Sequence, residues 1–118
     1  MQTATELDLN WVDVCALHDL PDNNMGAAVL HEETQIALFY IKQLDQVFAL
    51  NNLDPFSGAN VLSRGIIGSV GDELVVASPI YKEHFNLKTG QCLEDEGVSI
   101  AAYPTKVTEG RVLIGLSS

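Results

Sequence analysis

Apolar and polar residues alternate along most of this chain in short runs, and glycines, prolines or acidic pairs separate the runs. This pattern predicts short β-strands joined by tight turns, because a strand points successive side chains to opposite faces. Three pairs of runs flank short polar turns and are typical of β-hairpins. The predicted hairpins pair 25–31 with 34–41, 66–70 with 73–77, and 106–108 with 111–114.

Further strands are predicted at 11–15, 46–50, 84–87 and 98–103, with Val, Ile, Phe and Tyr prominent among them. The segment 51–65 carries Pro55, Gly58 and Gly65, which favour a long irregular loop over a helix. Shorter irregular segments are expected in places with weaker patterns. These are a polar, flexible stretch at 1–9, a turn or single helical turn at 16–21, a loop at 22–24 and an acidic linker at 91–97.

The expected architecture is a single all-β domain over residues 1–118, in which short antiparallel strands form a sandwich or small barrel. A chain of this length buries a sizeable hydrophobic core without needing disulfide bonds or a structural metal ion. No apolar run is long enough to span a membrane. The first six residues lack the basic and apolar parts of a signal peptide, so we expect a soluble protein in the cytoplasm.

The net charge of the chain is −10, from 16 Asp and Glu against 6 Lys and Arg. This excess repels phosphate backbones and anionic lipid surfaces, and it argues against nucleic-acid or membrane binding. Two explanations of the charge remain open. It keeps the protein in solution, or it docks the protein on the basic face of a partner.

The chain has two cysteines, Cys15 and Cys92. A disulfide between them is conceivable, but a reducing cytoplasm favours two free thiols. Neither cysteine has a Cys or His neighbour at the spacing of a metal site, so no metal ligands are predicted.

Two short stretches resemble the cluster-binding loops of Rieske iron–sulfur proteins. They are Asn52-Leu53-Asp54-Pro55-Phe56, and Ser78-Pro79-Ile80-Tyr81 followed by His84-Phe85-Asn86-Leu87-Lys88-Thr89-Gly90. The family loops read Cys-Pro-His and Cys-Pro-x-His, and here Asp54 and Phe56 stand in the first pair of ligand positions. Ser78 and Tyr81 stand in the second pair. Rieske clusters need two thiolates and two imidazoles, so the chain resembles a Rieske scaffold without a cofactor.

The resemblance covers nearly the whole chain and is closest to one branch of the superfamily. The runs 60–65 and 78–94 are similar to the small subunit of assimilatory NAD(P)H-dependent nitrite reductase, a branch that lacks the cluster ligands. The resemblance implies a Rieske-like fold and a large-subunit partner that carries FAD, a 4Fe–4S cluster and sirohaem and reduces nitrite to ammonia. The implied role is a non-catalytic subunit. The alternative is a free-standing Rieske-fold interaction module without a redox role.

No catalytic residues are predicted. Ser78, His84 and Asp54 supply the residue types of a hydrolase triad, but no nucleophile elbow accompanies them. His84 is interpreted first as a half-exposed strand residue. We name it, with Phe56 and Tyr81, as a possible contact with a partner.

Losing a cluster leaves space between the two loops, and an empty space costs stability in proportion to its volume. We expect the ring of Phe56 to fill that space. The same role is open for Tyr81, whose hydroxyl needs a hydrogen-bond partner if it is buried. In the alternative arrangement both rings are exposed at the loop tips as a docking patch.

Overall fold

The computed structural model describes residues 9–21 and 25–117. Within these ranges the secondary structure consists of strands and three single 3₁₀ turns, with no α-helix, which confirms the predicted all-β class. The 3₁₀ turns span Leu17–Asp19, Lys42–Leu44 and Leu62–Arg64. The strands are β1 (Leu9–Ala16), β2 (Gly26–His31), β3 (Thr34–Ile41), β4 (Gln46–Asn51), β5 (Ile66–Val70), β6 (Glu73–Ala77), β7 (His84–Asn86), β8 (Ala102–Tyr103), β9 (Thr105–Thr108) and β10 (Arg111–Ser117).

Within the described residues, the strands form three antiparallel sheets. The first has the order β1-β10-β9, the second β2-β3-β4-β8, and the third β5-β6-β7. Three of the strand pairs are the hairpins predicted from the sequence: β2–β3, β5–β6 and β9–β10. Most strand pairs therefore join neighbours in sequence, whereas β8 pairs with β4 and β10 pairs with β1 across longer stretches of the chain.

The second sheet lies between two hydrophobic clusters, and β3 contributes to both. Ile36 and Leu38 pack into the cluster shared with the first sheet, whereas Ala37 and Phe39 pack into the cluster shared with the third. Successive side chains of a strand point to opposite faces, so a strand buried on both faces needs an unbroken apolar run. This requirement explains the continuous apolar sequence of β3.

The run 98–103 is a strand only at its end, as β8, where Ala49 and Leu50 of β4 pair with Tyr103 and Ala102. The preceding residues are held by single contacts instead, including a bridge between Ser99 and Gln91. The strand predicted over the whole run is therefore too long. The predicted loop at 22–24 and residues 1–8 of the predicted flexible stretch lie outside the described residues, while Leu9 begins β1.

Candidate functional site

The first of the two loops is a tight turn over residues 54–59, closed by its own backbone. The Asp54 amide donates to the Ala59 carbonyl (2.8 Å), and the Gly58 amide donates to the Asp54 carbonyl (2.8 Å). The Asp54 carboxylate accepts a hydrogen bond from the Phe56 amide (2.8 Å), as aspartate does at the start of many turns. Gly58 has φ of 76°, a left-handed conformation that glycine adopts without steric cost.

The second loop, residues 78–83, repeats this turn. The Ser78 amide donates to the Glu83 carbonyl (2.9 Å), and the Lys82 amide donates to the Ser78 carbonyl (3.1 Å). The Ser78 hydroxyl accepts a hydrogen bond from the Ile80 amide (3.3 Å), and Lys82 has φ of 67°. Pro79 follows Ser78 as Pro55 follows Asp54. The two loops are turns with the same pattern of hydrogen bonds, and Lys82 occupies in the second turn the position that Gly58 occupies in the first.

The side chains that open the two turns bond to each other. The Ser78 hydroxyl donates to Asp54 Oδ2 at 2.5 Å, and both residues are buried. The distance is that of a charge-assisted O–H···O⁻ hydrogen bond. The other carboxylate oxygen, Oδ1, accepts from the amides of Phe56 (2.8 Å) and Ser57 (3.4 Å). The carboxylate thus has a partner on each oxygen, as a buried charge requires, and it joins the first loop to the second.

Two opposing influences set the pKa of Asp54. Burial is the largest and raises the pKa, because it disfavours the charged form. The hydrogen bonds from Ser78 and from the Phe56 and Ser57 amides act against it, and together they hold the pKa of the Asp54 carboxyl below its ordinary value. The carboxyl is therefore ionised at neutral pH.

Asn52 anchors the base of the first loop and is almost fully buried. Its Oδ1 accepts from the Ser63 amide (2.7 Å), and its Nδ2 donates to Oε1 of Gln35 in β3 (3.1 Å). The Asn52 backbone also donates to the Gln35 carbonyl (2.9 Å). Asn52 therefore fixes both ends of the irregular segment. The sequence interpretation gave it no role, although a polar residue directly after an apolar strand is a signal for such an anchor.

Phe56 and Tyr81, which stand where the family has histidine ligands, lie on the outside of the loops. Phe56 is 37% exposed and Tyr81 is 59% exposed. The Phe56 ring packs at a tilt against Phe85 of β7, with 6.3 Å between ring centroids. The expectation that Phe56 fills a buried space between the loops is therefore wrong. Asp54 and Ser78 already close that space, so the aromatic ring lies over Phe85 instead.

His84 begins β7 and is half-buried, as the strand pattern predicted. Both oxygens of Glu94 bind it: Oε1 accepts from the His84 amide (2.8 Å), and Oε2 lies 2.6 Å from ring Nδ1. Partial burial raises the pKa of Glu94, but these contacts outweigh it and lower the pKa below its ordinary value. Because the histidine ring is held by Glu94, it does not form a triad with Ser78 and Asp54.

The two cysteines lie in different parts of the core and both are free thiols. Cys15 packs beside the cluster between the first and second sheets, and Cys92 belongs to the cluster between the second and third. In the described part of the chain, no three His, Cys, Asp or Glu side chains come together as a metal site. None of the helical turns within 9–21 and 25–117 has the length and hydrophobicity to cross a bilayer.

The comparison with known proteins agrees with the loop geometry. Residues 10–115 match the family described as Rieske-like [2Fe-2S] domain. The nitrite reductase (NADH) small subunit of Escherichia coli K12 is 43% identical over 102 residues, which are 86% of this chain and 94% of the relative. This chain belongs to the nitrite reductase small-subunit family.

A solved member of the small-subunit family has the same fold. The putative NADH-dependent nitrite reductase small subunit of Mycobacterium tuberculosis superposes with a TM-score of 0.86 at 42% identity, covering 93% of this chain and 97% of that one. A nitrite reductase large subunit of Klebsiella oxytoca also contains a matching segment. That segment is 42% identical over 105 residues, which are 89% of this chain and 11% of the Klebsiella protein.

The name of the wider domain family implies a 2Fe–2S cluster, and the residues of this small subunit do not fit one. The two inner positions hold oxygen atoms, on Asp54 and Ser78, that are hydrogen-bonded to each other. The outer positions hold Phe56, which has no donor atom, and Tyr81, whose phenol is a poor replacement for imidazole. This member of the family has the scaffold of the cluster site with a hydrogen bond at its centre.

Proposed function

We propose that this chain is the non-catalytic small subunit of an NAD(P)H-dependent nitrite reductase and acts by binding the large subunit. The observation that carries the proposal is the 43% identity to the Escherichia coli small subunit over 94% of that protein. Its large-subunit partner would hold FAD, a 4Fe–4S cluster and sirohaem, and would perform the six-electron reduction of nitrite to ammonia.

The Klebsiella large subunit supports the choice of partner. It contains a segment like this chain within its own much longer sequence. When a domain is part of an enzyme's polypeptide in one organism, a separate protein with the same domain in another organism is a good candidate for a subunit of the same enzyme. This favours a subunit over a free-standing interaction module.

The donor set at the two loops supports a role without electron transfer. An electron carrier of this fold needs four cluster ligands, and Asp54, Phe56, Ser78 and Tyr81 do not supply them. A cytoplasmic location belongs to the same proposal and agrees with the two free thiols, since disulfides are rare in that compartment.

Co-expression with the large subunit of the same host tests the proposal. We expect the large subunit to co-purify with the tagged chain, and nitrite-dependent oxidation of NAD(P)H to require the large subunit. A tagged ferredoxin of the same fold serves as the control and should not retain it. Failure to retain the large subunit, or nitrite reduction by this chain alone, would overturn the proposal.

A further inference from the structure

Four exposed apolar side chains lie on the two loops or directly before the first of them. They are Leu53 (40% exposed), Phe56 (37%), Ile80 (43%) and Tyr81 (59%), and we call this set the apolar tip. The hydrogen bond between Asp54 and Ser78 holds the two loops together at their bases. Strand pairing supports this arrangement, because Ile66, which follows the irregular segment 51–65, is the partner of Ala77, which directly precedes the second loop.

We propose that the apolar tip is the surface by which this subunit docks on its large subunit, against an apolar patch bordered by basic residues. The inference rests on the proposed function and names the contact surface that it requires. Aromatic and large aliphatic side chains grouped on a surface are typical of protein interfaces. In this fold the two inner positions have become a structural hydrogen bond, while the two outer positions have become exposed aromatic rings.

The charges beside the apolar tip indicate the chemistry of the partner surface. The acidic residues Glu94, Asp95 and Glu96 follow Leu93, whose amide donates to the His84 carbonyl directly after the second loop (2.9 Å). The exposed turn Glu32-Glu33 precedes Gln35, which holds Asn52 at the base of the first loop.

An apolar surface with an acidic group linked to each of its two loops is complementary to an apolar patch with a basic border. The same arrangement argues against a second copy of this chain as the occupant. Two copies joined through the tip would bring their acidic borders together, and like charges at an interface oppose association.

A binding titration with purified large subunit tests this surface. The double variant Ile80→Ser/Tyr81→Ser removes two exposed side chains of the tip without emptying the core. We expect it to bind about tenfold more weakly or worse than the unchanged chain. The control is Leu44→Ser, because Leu44 is also apolar and 50% exposed but lies at the opposite end of the β3–β4 hairpin. Its affinity should stay within about twofold of the unchanged chain.

The acidic border is tested by salt. The double variant Asp95→Asn/Glu96→Gln should weaken binding at low ionic strength and lose this effect at high ionic strength, where screening is strong. Asp72→Asn is its control, since Asp72 lies in the exposed β5–β6 turn, at the end of that hairpin away from the tip. This control should leave the affinity unchanged at both ionic strengths.

The outcomes separate the two proposals. If the unchanged chain does not bind the large subunit, the proposed function fails. If the unchanged chain binds and the Ile80→Ser/Tyr81→Ser variant binds within about twofold of it, the docking surface is wrong and the proposed function stands. Hydrogen exchange of the unchanged complex is an independent measurement. Protection at 53–59 and 78–83 supports the tip, whereas protection elsewhere alone, or dimers of this chain formed through the tip, would overturn it.

Discussion

A single buried hydrogen bond, from Ser78 to Asp54, joins the two loops of this chain. Hydrogen bonds to a buried charged group contribute more to stability than neutral ones, and removing the donor leaves the charge less well satisfied. We expect Ser78→Ala to lower the free energy of unfolding by about 1–3 kcal/mol. Denaturant midpoints measure this change. Ser69→Ala, at an exposed position of β5, should change it by about 0.5 kcal/mol or less.

The same bond makes part of the stability depend on pH. The pKa of Asp54 is lower in the folded protein than its ordinary value, so its contribution is fully present above about pH 4, near the pKa of an unfolded aspartate. As the pH falls through the lower, folded pKa, the contribution is lost. In Ser78→Ala the folded pKa rises, and the acid-dependent loss should become smaller. An equal loss in both proteins below pH 4 would contradict this assignment.

Phe56 is a second position at which a single substitution is expected to affect both the stability of the protein and its binding to the large subunit. Phe56 is 37% exposed and its ring packs against Phe85, so Phe56→Ala should cost about 1–2 kcal/mol, less than a fully buried ring. The same substitution should weaken binding of the large subunit. Denaturant midpoints and a binding titration on one preparation measure both effects. A cost near that of a core phenylalanine, with unchanged affinity, would return Phe56 to a filling role.

Sequence alone names candidate residues for the site but does not predict their contacts. Asp54, Phe56, Ser78 and Tyr81 are candidates because their neighbours, including Pro55 and Pro79, follow the loop pattern of the family. The bond between Asp54 and Ser78 could not be predicted, since it joins positions 24 residues apart and depends on how the loops meet. The sequence wrongly predicts a buried Phe56 because it does not reveal this hydrogen bond between the loops.

At the scale of elements, the two similar turns at 54–59 and 78–83 provide equivalent positions, Gly58 and Lys82, that can be compared directly. Lys82 adopts the left-handed backbone conformation that Gly58 adopts in the other loop, and a residue with a side chain pays about 1–2 kcal/mol for it. We expect Lys82→Gly to be neutral or to stabilise the protein by about 1 kcal/mol. Gly58→Ala should destabilise it by a similar amount, because a Cβ there meets no neighbouring atom and only backbone strain remains.

Thermal midpoints of the two variants measure these changes. Destabilisation by Lys82→Gly would show that the lysine side chain makes a contact worth more than the strain.

The turns also show which elements are predictable. The β2–β3, β5–β6 and β9–β10 hairpins are predictable because alternation and turn residues are local signals, whereas β8 begins only at Ala102 because its pairing with β4 covers only Ala102 and Tyr103.

At the scale of the whole molecule, the prediction concerns metal content. After anaerobic incubation with iron and sulfide, we expect this protein to stay colourless and to hold no stoichiometric iron. The reason is that its loops offer two oxygen atoms, a phenol and a phenyl ring in place of two thiolates and two imidazoles. Iron analysis and a visible spectrum measure this, with a cluster-bearing ferredoxin treated in parallel. Rieske-type absorption with near-stoichiometric iron would disprove it.

The pairing of the first strand with the last has a consequence for how the polypeptide can be cut and rejoined. Leu9 is the Cα partner of Ser117, and residues facing each other across an antiparallel pair are about 5 Å apart. A short glycine–serine linker could therefore join Ser117 to Leu9, and the chain could be opened at the exposed Gly71-Asp72 turn. We expect this circular permutant to fold and to bind the large subunit as the natural order does, measured by its denaturant midpoint and a binding titration.

A permutant that does not fold would contradict this expectation. A permutant that folds would show that the start of β1 and the end of β10 are close enough to be joined without disturbing the domain. A domain of that kind can be spliced into a host polypeptide at a single surface loop without pulling its own strands apart.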